Sequence, residues 1–296
     1  MKLSIIVPVY NSSLTVERCI DSILNQSIVE KEIIIINDGS TDNSLDIINK
    51  YKKNTNIILI NQNNQGQGVA RNRALEIAKG EYVTFVDSDD YLSNRYSYEN
   101  LIMRCDNENL DLIIFNYCID YISHYKILVN LYNDKIYTSK EIIEKFLLTN
   151  EVEGFSCNKI FKKKIISDNN IKFLEGYKYE DIPFVIDYIL MSNNIGFDNN
   201  VVYHYTYNTN STTKKINLNV LKDEIYSMKL ILTKINNTSI IDLDSIVQYA
   251  NNRIKLYRTY RLKNVLKGKI TLKEFFLINK IYNDFLKEIH SFIHEK

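Results

Sequence analysis

The chain has almost no net charge: 37 Lys and Arg stand against 36 Asp and Glu in 296 residues, a formal charge of +1. That balance gives no whole-chain argument for nucleic acid or for a strongly acidic partner, so any electrostatic message is local. Its four cysteines, Cys19, Cys105, Cys118 and Cys157, show no Cys-x-x-Cys spacing. Three of them lie in apolar stretches that read as core, which fits a reduced, cytosolic compartment. No apolar run is long enough to span a bilayer, and the start, Met1 to Pro8, lacks a signal peptide's long apolar segment and cleavage site. The expectation is a soluble or peripheral protein. There is also no internal repeat and no low-complexity linker, and the length suits one large α/β domain or a domain with an appendage.

What is present is alternation. β-rich runs at 3–9, 32–36, 57–60 and 82–86 take turns with helical patterns at 16–24, 45–51 and 69–78. Repeated βα units of this length predict a largely parallel, right-handed, doubly wound sheet flanked by helices. Thr41-Asp42 reads as a helix start and Gly80 as a helix stop. Beyond Asp90 the pattern loosens: a helix near 96–105, a strand at 112–117, helical runs at 140–148, 158–166 and 181–190, and a strand at 201–207. From about Asn217 the tail to Lys296 reads as several helices. The expected organisation is a domain over 1–215, with a nucleotide-binding half at 1–95 and an acceptor-binding half at 96–215, followed by a helical extension over 216–296.

The densest chemistry is Asp87-Ser88-Asp89-Asp90, directly after the apolar run 82–86. In open α/β sheets ligands bind beyond the carboxyl ends of strands, so acids delivered there predict a hard cation. Strand alternation would put Asp87 and Asp89 on one side and Ser88 on the other, a spacing that suits Mg²⁺ or Mn²⁺ bridging to phosphate oxygens. An acidic turn or helix cap is the plain alternative.

Other strand ends carry matching signals. Pro8, Tyr10 and Asn11 close the first strand, where Tyr10 offers an aromatic face to a nucleotide base; a simple strand end before a helix cap is the alternative. Asp38-Gly39 closes the second, where a carboxylate can accept the imide N–H of uracil, although Asx-Gly is also a routine turn. Gly66 and Gly68 precede a helix bearing Arg71, whose planar fork suits a pyrophosphate or the acidic cluster. This is neither a Walker loop nor Gly-x-Gly-x-x-Gly, since Arg71 takes the third glycine's place. Glu180-Asp181 opens a helix with Pro183 in its first turn, either as cap or as a general base for a hydroxyl nucleophile.

Taken together, Ser4-Ile5-Ile6-Val7-Pro8-Val9-Tyr10-Asn11, Asn37-Asp38-Gly39-Ser40-Thr41-Asp42, Ala70-Arg71-Asn72, Lys79 to Asp90 and Tyr179-Glu180-Asp181, in this order, resemble the family 2 inverting glycosyltransferases with the glycosyltransferase A-type fold. The resemblance covers about 3–211. It implies a Rossmann-like, mostly parallel sheet flanked by helices, then the C-terminal helical region. It implies a nucleotide-sugar donor, with a UDP-sugar expected, held by Pro8, Tyr10, Asn11, Asp38, Arg71, Asp87 and Ser88. A divalent metal, Mn²⁺ or Mg²⁺, would meet Asp87 and Asp89, with His204 as a further candidate ligand or a structural residue of a Tyr-rich strand. Asp181 would be the base, with Glu180 beside it. Processive relatives carry a Gln-x-x-Arg-Trp-type element and membrane spans, and this chain has no Trp; it should add one sugar at a time.

Between Arg253 and Lys273 the chain carries Arg258, Arg261, Lys263, Lys267 and further lysines without an acid, interleaved with Tyr257 and Tyr260. That pattern suits an anionic membrane surface or a solvated helix face. The first reading would place the protein on the inner face of the plasma membrane, serving a lipid-linked oligosaccharide acceptor in bacterial surface-polysaccharide assembly. Two rivals are a nucleotidyltransferase, which needs a Gly-rich, Lys-containing loop where Asn11-Ser12-Ser13-Leu14 stands, and a non-catalytic sugar-nucleotide-binding module.

Overall fold

The computed structural model describes residues 1–121, 125–128, 133–149, 151–207, 218–266 and 271–294. Two compact units are present: Met1–Ser139 with Gly154–Asn208, and Lys140–Glu153 with Thr209–Lys296.

The first unit is an α/β sheet. Its strands β1 (Leu3–Val9), β2 (Lys31–Asp38), β3 (Ile57–Gln62) and β4 (Tyr82–Phe85) alternate with α1 (Val16–Leu24), α2 (Ser44–Asn49) and α3 (Gln67–Ile77). These strands pair in parallel in the order β3-β2-β1-β4. Every residue of β1 and β2 is buried, as expected of strands covered on both faces. Helix α1 buries Val16, Cys19, Ile20 and Ile23, the stripe that its 3.6-residue period places on one side. Strand order reverses between β1 and β4, and such a switch opens a crevice at the carboxyl ends of the strands. Pro8 stands in this interior strand without penalty because the β1–β4 ladder ends at Ile6–Phe85, before its missing N–H would be needed.

Beyond β4 come β5 (Tyr91–Leu92), α4 (Ser97–Asn107), β6 (Leu112–Asp120), β7 (Tyr125–Leu128), β8 (Lys159–Lys162), α6 (Lys163–Asp168), α7 (Asp181–Leu190) and β9 (Ile195–Thr206), with α5 (Ser139–Glu144) preceding β8. They extend the sheet as β4-β8-β6-β9-β5, with β7 on β6. β6 and β9 are parallel, while β8 runs against β4 and β6. The span 158–166 is therefore not one helix. Its first half is wedged between two strands as β8, burying Ile160 and Phe161 on opposite faces, and α6 starts only at Lys163. β5 and β7 carry no periodic signal of their own, being two and four residues long.

The second unit takes most of α5, a π-turn at Lys145–Thr149, and the helices α8 (Leu218–Thr238), α9 (Leu243–Leu266) and α10 (Leu272–His294). α8 buries Leu221, Met228, Ile231, Leu232 and Ile235, α9 buries Ile246, Tyr249, Ala250 and Ile254, and α10 buries Ile278, Tyr282, Phe285 and Ile289. Each set falls on one helical stripe. Phe146 packs on Tyr249 at 5.5 Å between ring centroids. No described helix is long and apolar enough to cross a membrane. In the basic stretch, Arg253 lies over the Tyr249 ring and Arg258 donates to Asn283. Lys267 and Lys269 lie outside the described residues, as do the side chains of Tyr257, Tyr260, Arg261 and Lys263.

Candidate active site

The loops after β1 and β2 form one edge of the crevice. Tyr10 is 46% exposed, so its ring is available to a ligand. Asn11 adopts φ +50°, and its side-chain carbonyl accepts from the Thr41 amide at 2.8 Å while its own N–H donates to Ser40 Oγ at 3.1 Å. Ser12 N–H donates to Ser44 Oγ, and Ser13 N–H to Asp42 Oδ2. Pro8 is buried in the strand beneath.

Asp38 is buried and organises its own chain. Its carboxylate accepts from Gln62 Nε2 at 2.7 Å, from the Gln65 amide at 2.9 Å and from the Gly66 amide at 2.8 Å. Gly66, at φ +92°, makes the turn that brings its N–H round. Gly68 serves close packing: a Cβ there would lie 2.4 Å from the Leu174 carbonyl oxygen. Both glycines thus have work inside the protein.

Arg71 is the hub. Only 3% exposed, it donates through Nη1 to Glu180 Oε1 at 2.5 Å and through Nη2 to Asp87 Oδ1 at 2.7 Å. Of the two partners that sequence reasoning allows it, pyrophosphate or acids, the fold supplies the acids. Burial works against its charge, but Asp87, Glu180 and Asp181 outweigh that and hold its pKa above the ordinary value. Through this one guanidinium, Asp87 and Glu180, 93 positions apart (180 − 87), come together.

Glu180 is the N-cap of α7 and Asp181 its first residue. Asp181 keeps part of its surface open. Burial beneath the surrounding chain, then the charge of Glu180, push its carboxyl up to about 7, with Arg71 pulling the other way. A carboxyl poised near neutrality has the property that a general base needs.

β4 ends at Phe85, so Asp87 to Asp90 form a turn rather than an alternating strand, closed by the Asp90 amide on Asp87 O at 3.0 Å. Ser88 is buried, its hydroxyl 2.7 Å from that of Ser12. Asp87 and Asp89 stay partly open. Asp90 is fully buried and structural: its carboxylate accepts from Tyr203 OH at 2.6 Å and from the Thr206 amide at 2.7 Å. The Asp87 amide donates to the same Tyr203 oxygen, tying the acidic turn to β9. His204, the next residue, falls on the other side of β9, where its Nδ1 lies 3.0 Å from Cys118 Sγ and 3.3 Å from the Asp120 carboxylate.

Several further residues complete the site. Phe85, Phe173 and Phe184 make an aromatic floor, with Phe173 stacked on Phe184 at 3.9 Å and Phe85 edge-on to Phe173 at 4.9 Å. The floor fixes β4 against α7, and Arg71 lies over Phe173 at 5.3 Å. Asn72 clamps Phe173 with both side-chain atoms, to its carbonyl and its amide. Arg18, from α1, donates to the Asp89 carbonyl at 2.9 Å and to Thr206 Oγ1 at 2.6 Å. Asn72 and Phe85 fall within the motif segments at 70–72 and 79–90, whereas Phe173, Phe184 and Arg18 are brought in from distant segments that no local motif announces.

Comparison with known proteins agrees with this fold. The profile of Glycosyl transferase family 2 matches residues 4–168. EpsH of Bacillus subtilis (strain 168) is 33% identical over 221 residues, 72% of this chain and 63% of EpsH. The poly(ribitol-phosphate) beta-N-acetylglucosaminyltransferase TarP of Staphylococcus aureus is 31% identical over 224 residues, 74% of this chain and 66% of TarP. The chain thus spans less than two thirds of the length of these relatives. The crystal structure of S. aureus TarS 1-349 in complex with UDP-GlcNAc superposes with a TM-score of 0.77 over 98% of this chain and 83% of that one, at 24% identity, a likeness of fold. With the A-type glycosyltransferase fold in place and the family profile running unbroken from β1 into α6, this chain belongs to glycosyl transferase family 2.

Proposed function

We propose that this chain transfers one sugar at a time from a UDP-sugar to a hydroxyl of a glycan acceptor, inverting the anomeric centre. The observation that carries this reading is the Arg71 bridge. It holds Asp87, at the end of β4, and Glu180, at the start of α7, on one guanidinium, and so sets a near-neutral carboxyl, Asp181, beside an acidic turn. A uridine donor is supported by the fold likeness to TarS, solved with UDP and with UDP-GlcNAc.

In the reaction, Asp181 accepts the proton of the acceptor hydroxyl while that oxygen bonds to the anomeric carbon and the bond to the nucleoside diphosphate breaks. One displacement turns an α-linked donor into a β-glycoside. Tyr10 offers the base an open ring face at the end of β1, and Asp38 fixes the loop from Gln62 to Gly66 that borders it. The acidic turn fits a divalent cation. Asp90 is taken up by Tyr203 and Thr206, which leaves the partly open carboxylates of Asp87 and Asp89 as the pair that would hold Mn²⁺ or Mg²⁺. Such an ion, when bound, supplies positive charge to the leaving diphosphate.

For the acceptor we favour a surface glycan or lipid-linked oligosaccharide at the membrane; among the relatives, TarP is named for a polymer, poly(ribitol-phosphate). Vesicle flotation with anionic lipids at low salt tests whether 253–273 contributes. The decisive experiment is a screen of nucleotide sugars for metal-dependent hydrolysis, with calorimetric titration of UDP and Mn²⁺. Hydrolysis that chelation abolishes, with Asp89→Ala losing metal-dependent UDP affinity, supports the proposal. UDP binding without turnover on any donor leaves a non-catalytic binding module, and unaltered affinity in Asp89→Ala removes the metal role.

A further inference from the structure

A second constellation stands on the face of β9 opposite Tyr203. Strand register builds it. Cys118 on β6 pairs with His204 on β9, and Tyr91 on β5 pairs with His204 from the other edge. Asp120, two residues beyond Cys118, points to the same face as Cys118. Cys118 Sγ lies 3.0 Å from His204 Nδ1 and 3.4 Å from Asp120 Oδ1, and His204 Nδ1 lies 3.3 Å from each Asp120 oxygen. All three residues offer ligand atoms within 4.8 Å of one another.

The separations to Asp120 match a coordination shell, and the 3.0 Å sulfur–nitrogen contact needs only about half an ångström of opening to join it. A tetrahedral zinc ion with ordinary bond lengths places a sulfur, an imidazole nitrogen and a carboxylate oxygen about 3.3–3.6 Å apart. The surroundings resemble an outer shell as well. The Tyr91 hydroxyl donates to Asp120 Oδ2, and the Tyr91 ring stacks on His204 with centroids 4.4 Å apart and planes 18° apart. Metal-binding carboxylates and imidazoles are oriented by such partners. Side-chain exposures of 23% for His204 and 21% for Asp120 leave a path for an ion and for water as fourth ligand.

We propose that Cys118, Asp120 and His204 bind one zinc ion, at a site separate from Asp87 and Asp89. A thiolate and an imidazole together favour zinc over the hard cations that an all-oxygen turn would select. Zinc here fastens β5 to β6 and β9. β5 follows the acidic turn directly, and the β9 residues Tyr203 and Thr206 hold Asp90, so the ion braces the base of the donor crevice. Zinc binds the thiolate, so uptake releases the Cys118 thiol proton to solvent.

The test uses the full chain, stripped by chelation and titrated with Co²⁺, then with Zn²⁺ in competition. The expected result is one cobalt per chain, a thiolate-to-cobalt charge-transfer band with tetrahedral d–d absorption, and displacement by zinc. Cys118→Ser removes that band and weakens zinc by at least about 100-fold, and Tyr91→Phe weakens it by about 10-fold. Asp89→Ala leaves the band intact. Absence of the band in the wild type, its persistence in Cys118→Ser, or its loss in Asp89→Ala overturns the proposal and identifies a hydrogen-bonded triad or a single metal site near Asp89. Should Cys118→Ser fail to fold by circular dichroism, Asp120→Asn takes its place, and undiminished zinc affinity in that variant is equally decisive against it.

Discussion

The groups gathered around Arg71 and those gathered around His204 lie in the same α/β unit but are built in opposite ways. Asp87 and Glu180 arrive on a turn and a helix start, with one buried guanidinium between them. Cys118, Asp120 and His204 arrive on the flat faces of two paired strands, without a cation among them. The first arrangement depends on ion pairs, so losing the guanidinium strands two like charges. The second depends on backbone register, which no single side chain supplies. Charge-held sites therefore fail through electrostatics, and register-held sites fail ligand by ligand.

The largest expected effect separates chemistry from scaffold. Asp181→Asn should lower turnover by about 10²- to 10⁴-fold with donor affinity retained, read from steady-state kinetics and UDP titration. Turnover near wild type would take Asp181 out of the mechanism. The wild-type rate should climb about tenfold per pH unit toward pH 7 and level off above it, because Asp181 must be ionised to accept a proton. A profile flat from pH 5 to 8, all within the range that a pKa of about 7 would shape, contradicts that role.

The same raised pKa has a stability consequence of definite sign. The folded state favours the protonated acid, so the ionised form opposes folding above the ordinary carboxyl pKa of about 4, and increasingly so up to about 7. Asp181→Asn should accordingly melt higher than wild type at pH 8, with the gap closing toward pH 4. A lower melting temperature at pH 8 would show that the carboxylate stabilises the fold.

Smaller effects probe the hub and its tie to β9. Arg71→Gln strands Glu180 and Asp87 and should cost about 3 kcal/mol in urea unfolding at neutral pH. A cost within error would mean that the pair contributes nothing net. Tyr203→Phe deprives buried Asp90 of a donor and should cost about 1–2 kcal/mol. If that variant also alters UDP affinity, the acidic turn and β9 act as one piece.

Legibility in the sequence follows the same divide. β1 to β4 could be read because βα units have local periodicity, and Asp87, Asp38 and Asp181 because they end strands or begin helices. The strand β8 was hidden: its four residues are too few to show a period of their own, and only the pairing of β8 with β4 and β6 extends its backbone. Arg71 carried two open readings, pyrophosphate or acids, and the approach of α7 to α3 decides which partners it meets. Cys118 and His204 stand 86 positions apart, and no spacing rule anticipates that β6 and β9 pair in that register.

The stitching between the loops after β1 and β2 has a dynamic consequence. Asn11 holds Thr41 and Ser40, Ser12 holds Ser44, and Ser13 holds Asp42, so neither loop can swing out without breaking the bonds of the other. Amide hydrogen exchange at Ser12, Ser13 and Thr41 should therefore occur in a shared opening with a common free energy. Two strand ends that belong to separate βα units would breathe as one.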